Sequence, residues 1–200
     1  MKNKINKSTE MLPSRLEALS DGIFAFAMTL LVLSINLPEV SQDINIGSFL
    51  VNQLPNFWNF ALSFLLLAII WIYLNQQLHH IKRTSFGFIL INILLLLFVA
   101  LIPFSTSFIS DFPDVVAAEL FFNLNMLMLA CLLSLNWWYA LKNKFVDTMG
   151  DEKHIALVSR KQYIFPAVSL LAVILTFIIP GYSSMSYILI PILIYLPTKK

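Results

Sequence analysis

Charge is scarce in this 200-residue chain: Asp, Glu, Lys and Arg make up only 12% of it, against 58% hydrophobic residues. A soluble core of this length cannot bury so much apolar surface, and a mean hydropathy of +0.80 requires lipid as solvent. Cysteine is nearly absent. The single Cys131 excludes an intrachain disulfide, a zinc cluster and a CxxC redox pair, and its place inside an apolar run marks it as a small core residue. The five glycines are scattered singly, and Gly-x-x-x-x-Gly-Lys-Ser/Thr, His-Glu-x-x-His and Gly-x-Ser-x-Gly do not occur. Phosphate binding, zinc hydrolysis and acyl transfer thus lose their usual signatures, and with no convergent set of nucleophiles or ligands the chain is not expected to be an enzyme. The Thr-Val-Gly-Tyr-Gly filter of ordinary potassium channels is missing as well. A net charge of +2 argues against a nucleic-acid partner. The start of the chain stays polar until Leu16, with no small-residue cleavage site after the apolar run that follows, so no cleaved signal peptide is expected.

What is abundant is apolar sequence in membrane-length runs. A hydrocarbon layer about 30 Å thick takes roughly 20 apolar residues per helix, and six runs qualify, at 17–37, 54–75, 86–108, 114–141, 162–179 and 182–197. The expected fold is an all-α membrane protein with six transmembrane helices per chain, residues 1–200 forming one domain in contact with the lipid bilayer. Pro180-Gly181 ends the fifth run and turns the chain into a tight helical hairpin whose tip carries no charge. The segment 38–53, with Pro38, is read as an outer loop and 142–161 as the main cytoplasmic loop.

The placement of the 13 basic residues tests the count. Lys2, Lys4, Lys7 and Arg15 precede the first run; Lys82 and Arg83 follow the second; Lys142, Lys144, Lys153, Arg160 and Lys161 follow the fourth; Lys199 and Lys200 follow the sixth. With six spans all of them share one side, whereas five or seven would divide them. The opposite loops carry only acids, namely Glu39, Asp43, Asp111, Asp114 and Glu119. By the positive-inside rule both termini are cytoplasmic in a multi-pass protein of the cell inner (plasma) membrane. His79 and His80 lie beside Lys82 and Arg83 without acidic or cysteine partners, which favours a solvated interfacial role over metal ligation.

The first run holds an outlier, Asp21, one turn inside the expected membrane boundary, where a carboxylate normally faces protein or a water-filled cavity. The second run reaches the same boundary with Trp71, Asn75, Gln76 and Gln77, offering an indole N–H and amide donors at the depth of Ser20 and Asp21. Asp21 is therefore either an acceptor in an inter-helix network or a group that meets ions or protons directly. Along one face of the first helix, Gly22, Phe26, Thr29, Leu33 and Asn36 recur in steps of four and three, with Leu30 at the edge. Such a stripe serves ordinary packing as readily as it serves a pore.

Resemblance separates these. Arg15-x-x-x-Leu19-Ser20-Asp21 resembles the Arg-x-x-x-Phe-Ser-Asp signature of the transmembrane protein 175 family, with Leu19 in place of Phe. Trp71-x-x-x-Asn75-Gln76-Gln77 stands where bacterial members show Trp followed by Asn-His-His, and the stretch from Asn92 through Pro103-Phe-Ser-Thr106 looks like their third helix. The resemblance implies a homotetrameric potassium channel that needs no cofactor beyond the permeant potassium ion, with the first helix of each subunit lining the pore. It implies an apolar constriction at Phe26, a hydroxyl selectivity layer at Thr29, further constrictions at Leu30 and Leu33, and a structural network of Arg15, Ser20, Asp21, Trp71 and Asn75. With no backbone filter, selectivity has to come from side chains. The competing readings are a proton-coupled membrane carrier using Asp21, and a membrane enzyme or assembly factor without transport.

Overall fold

The computed structural model describes residues 13–35, 45–113, 115–146 and 152–195, excepting the side chains of 152–154 and 195. Asn36, Pro38, Glu39, Asp43 and Asp114, the basic residues Lys2, Lys4, Lys7, Lys199 and Lys200, and the Lys153 side chain lie outside it. The described chain is helical almost throughout. Helix α1 spans Pro13–Leu30 and tightens into a 3-10 turn at Leu31–Ser34. Next come α2 (Ile46–Asn52), α3 (Leu54–His79), α4 (Phe86–Asp111), α5 (Val116–Lys142), α6 (Glu152–Lys161), α7 (Ile164–Ile178), and a 3-10 turn at Ser183–Ile188 that leads into α8 (Leu189–Tyr195).

Local chemistry explains several of these boundaries. The Asn45 side chain accepts from the backbone N–H groups of Gly47 and Ser48 at 3.0 and 3.3 Å and so starts α2. That short helix occupies part of the segment read from sequence as an outer loop. Ser85 caps α4 by accepting from Phe88 N at 3.3 Å. Pro103 sits within α4 and has no N–H to offer the Val99 carbonyl one turn back, while Ser105 Oγ donates to the carbonyl of Ile102 at 3.0 Å and so stays paired within the helix.

Five segments are long and apolar enough to cross a membrane: Pro13–Ser34, Leu54–His79, Phe86–Asp111, Val116–Lys142 and Ile155–Ile178. The first four match their sequence-based positions to within a turn. The fifth is longer than expected, because amphipathic α6 runs on into α7 and takes over half of the predicted 142–161 loop. Within the sixth expected span, 182–197, the described residues form a shorter apolar helix over Ser183–Ile194. Its 3-10 half rises about 2 Å per residue, so together with α8 the described part extends about 22 Å.

Contacts between helix ends set the arrangement. At one end, Ile81 bridges to Val146, Lys82 N donates to Phe145 O at 3.0 Å, Trp137 Nε1 donates to Ser159 Oγ at 2.8 Å and Lys161 Nζ donates to Ile194 O at 2.7 Å. This end gathers the described basic residues. At the other, Asn59 of α3 meets Ser110 of α4 at 3.2 Å, and Glu119 of α5 meets the turn after α7. Helix α5 is the hub, packed mainly against α4 and α7, while α1 lies against α4 and α3.

Two readings need correction. Cys131 is exposed on the outer surface of α5 and is not a core residue, because the helix turns that position away from its neighbours. Glu119 is not a loop acid: it lies in the first turn of α5 and is only 2% exposed.

Candidate functional site

The two faces of α1 differ sharply. Leu16, Ser20, Phe24, Ala27, Leu31 and Ser34 are buried in steps of four and three and hold the helix to its neighbours. Ser20 Oγ turns back to Leu16 O at 2.8 Å and Ser34 Oγ to Leu31 O at 2.7 Å, so both hydroxyls enter the apolar contact already paired. On the opposite face Gly22, Phe26, Thr29 and Leu33 are all exposed, Phe26 by 65% and Leu33 by 69%, while Leu30 at its edge is half-buried. Within one subunit this face packs against nothing. Thr29 Oγ1 donates to the carbonyl of Phe26 at 2.8 Å, which spends the hydroxyl proton inside the helix and leaves the oxygen lone pairs available to an outside donor or cation.

Of the signature residues, Trp71 and Asp21 are brought together: the indole Nε1 donates to Asp21 Oδ1 at 2.8 Å, linking α3 to α1. A groove lined by Asp21, Phe24, Ala25, Met28, Ala68 and Trp71 runs between the two helices. Asp21 itself is exposed, about 100° round α1 from Gly22 and toward α3. Arg15 is exposed and Asn75 half-buried, and neither is drawn into the Asp21–Trp71 pair. Gln77, expected from sequence to offer its amide near Asp21, turns the other way and donates to Leu133 O of α5 at 3.2 Å.

The comparisons with known proteins can now be set beside this geometry. The family described as endosomal/lysosomal potassium channel TMEM175 matches residues 15–103, which contain most of α1, all of α2 and α3 and most of α4. A potassium channel of Chamaesiphon minutus is 31% identical over 171 residues, covering 82% of this chain and 84% of that protein. The chain belongs to the TMEM175 family. A potassium channel of Streptomyces collinus is 31% identical over 130 residues, which cover 62% of this chain and 63% of the relative, just under two thirds of its length. A crystal structure described as a lysosomal potassium-selective channel TMEM175 homolog from Chamaesiphon minutus superposes with a TM-score of 0.81 at 25% identity, covering 94% of this chain and 98% of that one. The protein is thus a multi-pass membrane protein with a TMEM175-like fold, of a channel family rather than an enzyme family.

Sequence reasoning missed a second polar system, sealed inside the helix bundle. Asn92 Nδ2 of α4 donates to Asn136 Oδ1 of α5 at 2.7 Å, and Asn136 Nδ2 donates to Gln77 Oε1 of α3 at 3.1 Å. Further along, Thr106 donates to Ser63 at 2.8 Å and Asn125 to Ser105 at 3.2 Å. At the end opposite the basic residues, Asn123 Nδ2 donates to Thr176 and Ser183 at 2.8 and 2.7 Å and its Oδ1 accepts from the Tyr187 hydroxyl at 3.0 Å. There Glu119 accepts from Gly181 N and Ser183 N, each at 2.9 Å, and from Ser183 Oγ. Gly181 has a φ of 85°, a conformation that favours glycine and lets the turn present its N–H to the carboxylate. The available signal was depth: Glu119 falls inside the predicted fourth span, and the rule that singled out Asp21 applies equally to it.

Proposed function

We propose that this chain is a subunit of a potassium-selective channel in the cell membrane, four copies placing their α1 helices around a central pore. The observation that carries it is the unpartnered face of α1. A lipid-facing helix has no use for Gly22 and Thr29 among bulky apolar groups, and a helix buried in its own subunit has no use for a 65%-exposed Phe26. Four such faces turned toward one axis make a passage of alternating apolar rings and hydroxyls. Phe26 forms the main constriction and closes the passage by dewetting; Leu30 and Leu33 narrow it further on. Thr29, one turn from Phe26 with its lone pairs outward, provides the oxygen layer that favours the cation most easily stripped of water. The Asp21–Trp71 bond fixes the rotation of α1, on which the register of every ring depends.

In this reading the whole chain is one unit. The Ser183–Ile194 segment completes a sixth crossing, and the basic end with both termini faces the cytoplasm. The potassium channels named among the relatives support the choice of ion. Bilayer recording of purified protein under opposed potassium and sodium gradients tests it: a reversal potential that follows potassium is expected, and absence of conductance refutes the channel. Native mass spectrometry in mild detergent should show tetramers. A cysteine at Lys82, in a Cys131→Ser background, should be labelled from the cytoplasmic side alone.

A further inference from the structure

At the basic end, away from the exposed face of α1, a groove of about 370 Å³ opens between α3, α6 and α8. Ile69, Ile72, Leu157, Pro191 and Ile194 form apolar walls, and Lys161 stands at the rim. Tyr73 and Gln76 of α3 add two polar groups to a lining that is otherwise apolar, and the groove is far larger than one water requires. The walls come from α3, from the apolar face of amphipathic α6 and from the apolar Ser183–Ile194 segment, which sets the groove where membrane-length helices meet the basic end. Lys161 is half-buried and anchored by donating to the Ile194 carbonyl at 2.7 Å. That partner is neutral and occupies one of three ammonium donors, and among the described residues no carboxylate pairs with the charge, which stands beside exposed Arg160. Basic pockets between membrane helices at this level suit anionic headgroups.

We propose that this groove holds one anionic phospholipid of the leaflet level with the basic loops, an acyl chain along the apolar walls and its phosphate on the Lys161 ammonium. The occupant follows from charge complementarity: a largely apolar channel ending in a fixed cation with two ammonium donors to spare among the described residues matches a chain ending in a phosphate. A seated lipid also braces α6 and α8 against α3, joining the short last helix to the second span. The proposal rests on the membrane-spanning fold and is independent of the pore reading.

The test is native mass spectrometry of delipidated protein titrated with dipalmitoyl phosphatidylglycerol or with phosphatidylcholine of the same chains. Wild type should retain the anionic lipid over the zwitterionic one by about fivefold, the factor expected for one basic side chain at a membrane surface. Lys161→Gln should abolish that preference, and Lys161→Arg, which keeps the charge and a donor for Ile194, should keep it. Ile69→Trp, which fills the groove from its wall, should weaken retention of both lipids. Equal retention by wild type, or a preference surviving Lys161→Gln, overturns the proposal. So does efficient crosslinking of an Ile72→Cys variant to a second copy, which would assign the groove to a neighbouring subunit.

Discussion

Helices α1 and α5 are both apolar and of membrane length, yet they deploy their polar groups in opposite ways. In α5, 56% of the most apolar stretch is buried within the subunit; in α1 the share is 28%. Glu119, Asn123, Asn125 and Asn136 of α5 all point inward and meet side chains or amides of other helices. Asp21 and Thr29 of α1 both stay exposed, one held by a single indole and the other bonded within its own helix. The difference shows that the depth of a polar residue in a membrane helix does not reveal its work. A sealed polar group specifies which helices pair, because in hydrocarbon it has no alternative partner; an open one remains free to meet what passes.

Substitutions that strike the two helices should therefore separate stability from transport, and the largest loss of stability belongs to α5. Glu119→Leu strands the buried Ser183 amide at roughly 1–3 kcal/mol and takes the acceptor from exposed Gly181 as well. Thermal unfolding in detergent should drop steeply, and an unchanged melting temperature would break the contrast. Asn136→Leu comes next: it removes the middle of the Gln77–Asn136–Asn92 chain at about 1–3 kcal/mol, with assembly and current falling together.

On α1 the effects on stability shrink while those on flux grow. Asp21→Ala removes one exposed hydrogen bond, worth about 0.5–1.5 kcal/mol, and should loosen the α1–α3 contact so that tetramer yield and current decline in parallel. A stable Asp21→Ala tetramer with abolished flux would instead give Asp21 a direct part in transport. Phe26→Ala should shift stability by no more than about 0.5 kcal/mol, as for other exposed positions, while raising single-channel conductance by widening and wetting the passage. Smallest in structural terms is Thr29→Ala, for which conductance should persist and the reversal potential move toward sodium. If Leu30→Ala opens the channel and Phe26→Ala does not, the exposed face is rotated by one residue, about 100°.

Much of the architecture was legible because membrane insertion reads local sequence: an apolar run of sufficient length has to become a helix, since in lipid only intrahelical bonds satisfy its backbone. That logic located the first four long helices to within a turn. Its bounds shift where an amphipathic segment, Glu152–Lys161, fuses with the span that follows, and of the last run the described residues show a shorter helix, Ser183–Ile194. The α1 stripe could also be read in advance, because a period of three and four residues names one face whatever that face meets. The direction of Gln77 could not, since an amide between two neighbours chooses by geometry.

By itself, then, the sequence determined that this is a helical membrane protein, where its long spans run, that its basic residues collect at alternate span ends, and which residues share a face of α1. All of these depend on composition, length or periodicity within a single segment. Only the tertiary structure decided that the Gly22–Leu33 face is the one left open, that Glu119 clamps the turn after α7 across 62 and 64 residues of chain, and that Lys161 stands over an apolar groove. Each of those is a relation between segments distant in sequence, and in an apolar medium, where any tail or side chain can supply the dispersion contact, it is the few directional hydrogen bonds that choose among the possible packings.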